Sequence, residues 1–337
     1  MRLRSNRPTI GSPGWTWRDA GRLGRTSAGL ERWVKVMPLE DVRKMTARAV
    51  QGGYAVGYFE SWNLESLQGV VDAAEETRSP VIIGFNGDFL TRPDRLAEER
   101  LAWYAALGRA AAATASVPCA LIFNECPRDL PVRAAIDLGF NLVMPADPDA
   151  PPEAALVRIS ALTRLAHQCG VAVEAELGEL PCGAHGGASL GGTATDPEAA
   201  AAFVAVTGVD LLAVSVGNVH IKIDGSEGLD LDRLAAIARR VPVPLVLHGG
   251  TGIDREALQA AIKLGVAKVN YGTYLKQRYL AAVRAAVGRD QPDPHYLLGI
   301  GGPDDVLNAG RRAVRDAVLE RIDWLGCCGQ ADNGGAS

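Results

Sequence analysis

The sequence predicts a (β/α)8 barrel, because short apolar runs alternate with helical stretches eight times between residues 54 and 273. The runs are apolar throughout rather than alternating, as in a parallel sheet covered by helices on both faces. Eight units fit a closed barrel better than an open doubly wound sheet, and no G-x-G-x-x-G follows the first run. The runs are YAVGYFE (54–60), PVIIGFN (80–86), VPCALIFNE (117–125), FNLVMPA (140–146), VAVEAELG (171–178), DLLAVSVGNVH (210–220), PLVLHGG (244–250) and KVNYGT (268–273).

The chain divides into an extension, one barrel domain and a tail. Residues 1–36 carry eight basic against two acidic side chains and are expected to be a disordered extension, with Met37 as an alternative start. Residues 37–325 hold the barrel and end in an amphipathic helix over roughly 303–325. Residues 326–337 are expected to be a polar tail.

Composition excludes several classes of protein. The chain is 47% hydrophobic and 22% charged, as in ordinary globular proteins. Its net charge of −4 argues against a nucleic-acid binder or a polybasic membrane binder. Its six cysteines lack CxxC spacing, so neither a zinc ribbon nor a disulfide framework is expected. No apolar run reaches about 18 residues and the start lacks an apolar signal core, so a cytoplasmic protein is expected.

Polar residues at the ends of the predicted strands indicate an active site, since barrel enzymes carry theirs at the C-terminal ends of the strands. His220 and His248 end the sixth and seventh runs, which are neighbours in a barrel. Two imidazoles with a carboxylate from Glu125 or Glu176 make a three-ligand metal site with one open position. The alternative for either histidine is a hydrogen-bonded core imidazole. The strand-end residues are Glu60, Asn86, Asn124, Glu125, Asp147, Glu176, His220, His248 and Asn270.

A second feature of the mouth is a glycine turn that suits an anion. HGGTG (248–252) precedes a helix expected to begin near Ile253, so backbone N–H groups face the mouth. The eighth run ends at Asn270 to Thr273, and Lys222 adds positive charge beyond the sixth run. These features predict a phosphorylated or carboxylated small substrate, whereas the alternative is that the glycines only make tight turns.

The loop after the fifth run, residues 179–197, is rich in glycine and contains His185. It is predicted to be a lid that brings a general acid or base to the site, or else a surface loop. Asp196 and Pro197 at its end predict the start of a helix.

These segments resemble the class II, metal-dependent fructose-bisphosphate/tagatose-bisphosphate aldolase family from about Met37 to about residue 287. The resemblance implies the barrel fold, a homodimer or homotetramer, and one Zn²⁺ that polarises the ketose carbonyl and stabilises the enediolate left by C–C cleavage. The motifs that carry it are VDAAEETRSPVII (71–83), VEAELG (173–178), TDPEAAAAFVAVTGVDLLAVSVGNVH (195–220), VPLVLHGGTGI (243–253) and LGVAKVN (264–270).

The resemblance also assigns roles to individual residues. It implies that His220 and His248 bind the metal and that Glu176 lies close to it. The residues that it and the turn pattern assign to the substrate are Lys222, Gly249, Gly250, Thr251, Gly252, Asn270 and Thr273.

The chain departs from the family pattern at the third strand. Asn124-Glu125-Cys126 stands where the family has Asp-His-Gly. Glu125 can still bind a metal, but Asn124 cannot exchange a proton as an aspartate does. Asn124 therefore occupies the position of the family's catalytic aspartate but lacks its carboxyl group. Glu179 or His185 is the candidate that carries the proton instead.

Three further departures lie at the mouth. Glu60 replaces a common asparagine, Gly272 replaces a frequent aspartate, and Ile221-Lys222 replaces a glycine that contacts phosphate. A bisphosphate substrate is therefore not favoured.

The leading hypothesis is a metal-dependent aldolase-type lyase that reversibly cleaves a ketose phosphate or a related acidic sugar. One alternative is a non-catalytic barrel that acts as a binding subunit. The other is a metal enzyme of changed chemistry, such as an iron centre with two histidines and one carboxylate.

Overall fold

Eight parallel strands close into a barrel in the computed structural model, which describes residues 39–178, 192–218 and 228–334. Each strand pairs with its neighbours in the chain, and the first strand pairs with the last, with Tyr58 opposite Asn270. The predicted (β/α)8 barrel is confirmed. The strands are β1 (Val56–Glu60), β2 (Val81–Asn86), β3 (Cys119–Cys126), β4 (Leu142–Pro145), β5 (Ala172–Leu177), β6 (Leu211–Val214), β7 (Leu245–Leu247) and β8 (Val266–Tyr271).

Helices surround the barrel. Asp196 caps the helix after β5 by accepting hydrogen bonds from Glu198 N and Ala199 N, as the sequence predicted. The helices are α1 (Val42–Gly52), α2 (Leu64–Glu76), α3 (Gly87–Thr91), α4 (Leu101–Thr114), α5 (Asp129–Leu138), α6 (Pro152–Gln168), α7 (Pro197–Thr207), α8 (Leu231–Ala238), α9 (Arg255–Lys263), α10 (Thr273–Val287), α11 (Pro294–Leu297) and α12 (Val306–Leu325).

The strands are apolar throughout because helices cover one face and the barrel interior the other. Every residue of β1, β2, β4, β6, β7 and β8 is buried. Among the described strand residues, the partly exposed ones are Glu125 on β3 and Glu176 and Leu177 on β5. Exposure in the barrel wall is thus confined to the end where the strands finish.

Two boundaries at this end differ from the sequence prediction. β6 ends at Val214, well before His220. The chain turns at Gly217, which has φ +98°, and Asn218 Oδ1 accepts a hydrogen bond from Val216 N in place of a neighbouring strand. The helix expected near Ile253 begins later, at Arg255.

The C-terminal helix α12 packs against α2 and α10 and fixes them on the barrel. Arg311 of α12 makes a bidentate ion pair with Asp72 of α2, at 2.6 and 2.7 Å. α12 lies within the range expected from the sequence. Beyond it, Cys327 is buried and residues 330–334 form a short 3-10 helix, so this part of the expected tail is packed.

Asp305, the N-cap of α12, is expected to contribute about 2 kcal/mol to the free energy of unfolding. Its buried carboxylate accepts hydrogen bonds from the backbone N–H groups of Gly299, Gly301, Leu307 and Asn308. We expect Asp305→Ala to lower the stability in urea unfolding at pH 7 by that amount. Asp305→Asn keeps one acceptor oxygen, so its free energy of unfolding should fall by less than that of Asp305→Ala.

The same carboxylate gives the stability a pH dependence. Burial acts to raise the pKa of Asp305, but the four N–H donors outweigh it and lower the pKa below 3.8. The stabilisation is therefore complete above that value and is lost as the pH falls through the folded-state pKa. A difference between wild type and Asp305→Asn that stays constant down to pH 2 would contradict this assignment.

Candidate active site

His248 lies at the centre of the strand ends, directly after β7, with 1% of its surface exposed. Its Nε2 is 2.9 Å from Oε1 of Glu174. Its Nδ1 faces two further carboxylates, 3.4 Å from Oε1 of Glu125 and 3.3 Å from Oε2 of Glu176. One nitrogen is thus fixed to β5, and the other points to where β3 and β5 end.

Glu174 is itself held by Lys268 of β8, whose Nζ lies 2.8 Å from Oε2 of the carboxylate. Both side chains are fully buried, and β5 and β8 are not neighbours, so this ion pair spans the barrel interior. Burial acts to raise the pKa of Glu174, but Lys268 and His248 outweigh it and lower the pKa. Glu174 is therefore a carboxylate that fixes the imidazole ring of His248.

The carboxylates around His248 outnumber the permanently charged cations beside them. Burial alone would lower the pKa of His248, but hydrogen bonds to Glu174 and Glu176 and the charges of Glu176 and Glu125 raise it to about 10. Three carboxylates surround one ammonium, that of Lys268, and one imidazole. A divalent cation beside a neutral imidazole would bring this cluster to zero net charge.

Glu125 reaches the cluster because β3 is distorted at its end. The pairing of β3 with β4 shifts register between Phe123 and Cys126, and Glu125 has φ +53°. A left-handed backbone costs a non-glycine residue about 1–2 kcal/mol and is typical of functional sites. Asn86, at the end of β2, donates from Nδ2 to Oε2 of Glu125 at 2.8 Å and orients it.

Asn124 precedes Glu125 and is 2% exposed. Its Oδ1 has no hydrogen-bond partner among the described residues. An amide at this position can accept or donate a hydrogen bond but cannot transfer a proton.

Three of the four predicted metal ligands lie within the described residues. Glu125, Glu176 and His248 are brought together, whereas His220 lies outside the described residues. Within the described ranges, no three His, Cys, Asp or Glu side chains are arranged as a metal site. The donor chemistry of an imidazole with two carboxylates nevertheless fits Zn²⁺.

The predicted anion turn has a different structure from the one expected. Gly250–Gly252 forms a 3-10 helix of three residues, and α9 follows with its own cap, Asp254, which accepts from Ala257 N. The turn therefore precedes α9, as expected, but Ile253 and Asp254 lie between them. The turn also packs on β8, since a Cβ at Gly250 would lie 2.7 Å from the Tyr271 ring.

The turn brings Thr251 to the start of α10. Thr251 Oγ1 accepts a hydrogen bond from Tyr274 N at 3.3 Å, next to Thr273. Asn270 lies beside them, and its Oδ1 must face Lys268, because an ammonium group only donates. Its Nδ2 is buried and has no hydrogen-bond partner within the described part of the chain.

Four predicted site residues lie outside the described residues together with the loops that carry them: Glu179, His185, His220 and Lys222.

Sequence reasoning missed Glu174, Lys268 and the role of Asn86. The signal for the first two was the period of two along a strand, which puts Glu174 on the same face as Glu176 and Lys268 on the same face as Asn270. Counting back two residues from each predicted strand-end residue would have found both.

A closed barrel with a polar, anionic cluster at its strand ends has the arrangement in which (β/α)8-barrel enzymes carry their active sites. The family model for class-II fructose-bisphosphate aldolase matches residues 40–330. The fructose-bisphosphate aldolase of Geobacillus stearothermophilus is 33% identical over 303 residues, covering 88% of this chain and 99% of that protein. The crystal structure of the YdjI aldolase from Escherichia coli K12 is similar with a TM-score of 0.70 and 32% identity, covering 87% of this chain and 99% of that one. The chain therefore belongs to the class II fructose-bisphosphate aldolase family, which places it among the aldehyde-lyases.

None of the helices that the structure describes has the length and apolar character needed to cross a membrane.

Proposed function

We propose that the chain catalyses the reversible, Zn²⁺-dependent aldol cleavage of a ketose phosphate or a related acidic sugar. The observation that carries this proposal is His248, whose ring is fixed by Glu174 so that its other nitrogen faces Glu125 and Glu176. When bound, a divalent cation supplies Lewis-acid polarisation of a carbonyl oxygen. His248, Glu125 and Glu176 would hold it together with His220.

The remaining steps fall to the chain's own groups. Asn270 Nδ2 donates a hydrogen bond to a substrate oxygen, since Lys268 fixes the orientation of its amide. The Gly249–Gly252 turn and Thr273 receive the anionic group of the substrate. Because Asn124 cannot transfer a proton, Glu179 or His185 supplies the acid and base of the reaction.

A non-catalytic binding role is the second candidate, and the neutral side chain of Asn124 is the observation that favours it. Such a protein would bind metal weakly or not at all. The variant Asn124→Asp would then be expected to show cleavage that the wild type lacks.

The first experiment compares the metal content of the wild type and the double variant His220→Ala/His248→Ala by elemental mass spectrometry. We expect nearly one zinc per wild-type chain and its loss from the double variant. The exposed His295 gives a matched control, since His295→Ala should keep the metal.

Metal-loaded wild type should then cleave ketose phosphates, with release of a carbonyl fragment measured by a coupled assay. Absence of bound metal even after zinc is added would overturn the proposal and leave the binding role.

A further inference from the structure

A buried arginine of α12, Arg321, lies beside the first turn of α10. Its side chain is 7% exposed, and its Nε and Nη1 have no hydrogen-bond partner within the described residues. The carboxylate nearest to it in that part of the chain is that of its neighbour Glu320, 3.5 Å from Nη2. Burial of a charged group is costly unless other contacts stabilise it. The contacts that hold Arg321 in place therefore indicate what it does.

Three aromatic rings contact the guanidinium group of Arg321. Its Cζ lies 4.0 Å from the centre of the Trp324 ring, 4.3 Å from that of Tyr274 and 5.8 Å from that of Tyr271. Cation–π attraction of this kind is stronger where water is excluded. Trp324 belongs to α12 itself, whereas Tyr271 ends β8 and Tyr274 lies in the first turn of α10. Arg321 therefore joins the end of α12 to the junction between β8 and α10.

Tyr274 is also held by its hydroxyl group. This group donates to Oε2 of Glu320 at 2.6 Å, and Oε1 of the same carboxylate is the atom that faces Arg321. The ring and the hydroxyl group of Tyr274 are thus both bound to the last turns of α12.

The two tyrosines in contact with the guanidinium group also support the Gly249–Gly252 turn. Tyr274 N donates to Thr251 Oγ1 at 3.3 Å. Tyr271 lies so near Gly250 that a Cβ there would approach its Cε1 to 2.7 Å. Because Thr251 accepts this hydrogen bond, its hydroxyl group keeps its own proton to donate to an oxygen of an anion. A movement of either tyrosine would therefore displace the turn or reorient this hydroxyl group.

We propose that Arg321 is a positioning residue, which holds Tyr271 and Tyr274, and through them the Gly249–Gly252 turn, in the form that binds the anionic group of the substrate. This inference rests on the proposed function, which assigns that group to the turn. Loss of Arg321 should weaken substrate binding and leave zinc binding intact, because the metal-facing side chains are carried by the ends of β3, β5 and β7 rather than by β8 or α12.

The test compares the zinc-loaded wild type with Arg321→Met, which keeps the length of the side chain and removes the guanidinium group. Calorimetry should show an affinity for inorganic phosphate about tenfold lower, the size expected for one hydrogen bond to a charged group. The KM for a ketose 1-phosphate should rise by a similar factor with kcat unchanged, as when an interaction common to the ground and transition states is lost. Arg321→Lys keeps a cation over the rings and should restore most of the affinity.

Two further variants separate positioning from a general loss of stability. Arg311→Met is the matched control, because Arg311 lies on the same helix but pairs with Asp72 of α2. It should lower the stability and leave the phosphate affinity unchanged. Tyr274→Ala removes the ring at a partly exposed position and should weaken phosphate binding as Arg321→Met does, so it tests the same link if Arg321→Met does not fold.

A double-mutant cycle with Thr251→Val measures the link directly. Its effect on phosphate affinity should not add to that of Arg321→Met, because both substitutions act on one hydroxyl group. Additive effects, an unchanged phosphate affinity in Arg321→Met, or a joint loss of zinc and kcat would overturn the positioning role. Phosphate binding that Arg321→Met weakens, in a protein that cleaves no ketose phosphate, would overturn the cleavage reaction and support the role of Arg321.

Discussion

Replacing Glu174 by alanine is expected to lower the free energy of unfolding by about 3–5 kcal/mol. The substitution leaves the Lys268 ammonium group fully buried without its carboxylate and removes the acceptor that holds His248 Nε2. Urea unfolding of the metal-free protein measures the loss, and an unchanged dependence on denaturant would show that the folded state is affected rather than the unfolded one.

The double variant Glu174→Leu/Lys268→Met is the matched control, since it replaces the buried ion pair by apolar groups of similar volume. Its stability should return to the wild-type value or exceed it. Its zinc affinity should stay about 10–100-fold below that of the wild type, because His248 still lacks the acceptor that orients it. A double variant as unstable as Glu174→Ala would show that the unpaired lysine is not the cause of the loss.

Replacing Glu125 by glutamine is expected to lower zinc affinity by at least about 100-fold, the upper end of the range for residues that only orient a ligand. Glutamine keeps the length of the side chain but removes the negative charge 3.4 Å from His248 Nδ1. Competition with a chromogenic chelator at fixed pH measures the change.

Asn86→Ala provides the comparison, because it removes only the amide that orients Glu125. We expect Asn86→Ala to lower zinc affinity by about 10–100-fold, less than Glu125→Gln does. If Asn86→Ala lowered zinc affinity by more than Glu125→Gln does, Asn86 rather than Glu125 would be the residue that holds the metal.

The barrel and part of its site could be predicted from sequence because both depend on local patterns. Apolar runs mark strands wherever both faces are buried, and His248 and Glu125 were found because they fall where such runs end. The end of β6 was missed because Val216 follows Ser215 and extends the apolar pattern, whereas the strand ends at Val214 and the chain turns at Gly217.

The contacts that give the site its chemistry could not be predicted, because they join side chains from distant strands. The pairing of Glu174 with Lys268 depends on both residues facing the interior. A search for polar residues at the ends of strands does not find them, because both lie within a strand. The carboxylate of Glu60 lies where a Cβ at Gly272 would be. This contact depends on how β1 meets the start of α10 after the barrel closes. Two substitutions that appear unrelated in the sequence are therefore neighbours in space.

The pairing of the first strand with the last has a consequence for the synthesis of the protein. Glu60 at the end of β1 and Lys276 in α10, which form an ion pair, are 216 residues apart in the chain. A nascent chain that ends before β8 has neither the lysine that holds Glu174 nor the helix that carries Lys276, and it leaves β1 as an open sheet edge. The ion pair between Glu174 and Lys268, and with it the side-chain cluster around His248, is therefore complete only after the last strand has been made and added to the first.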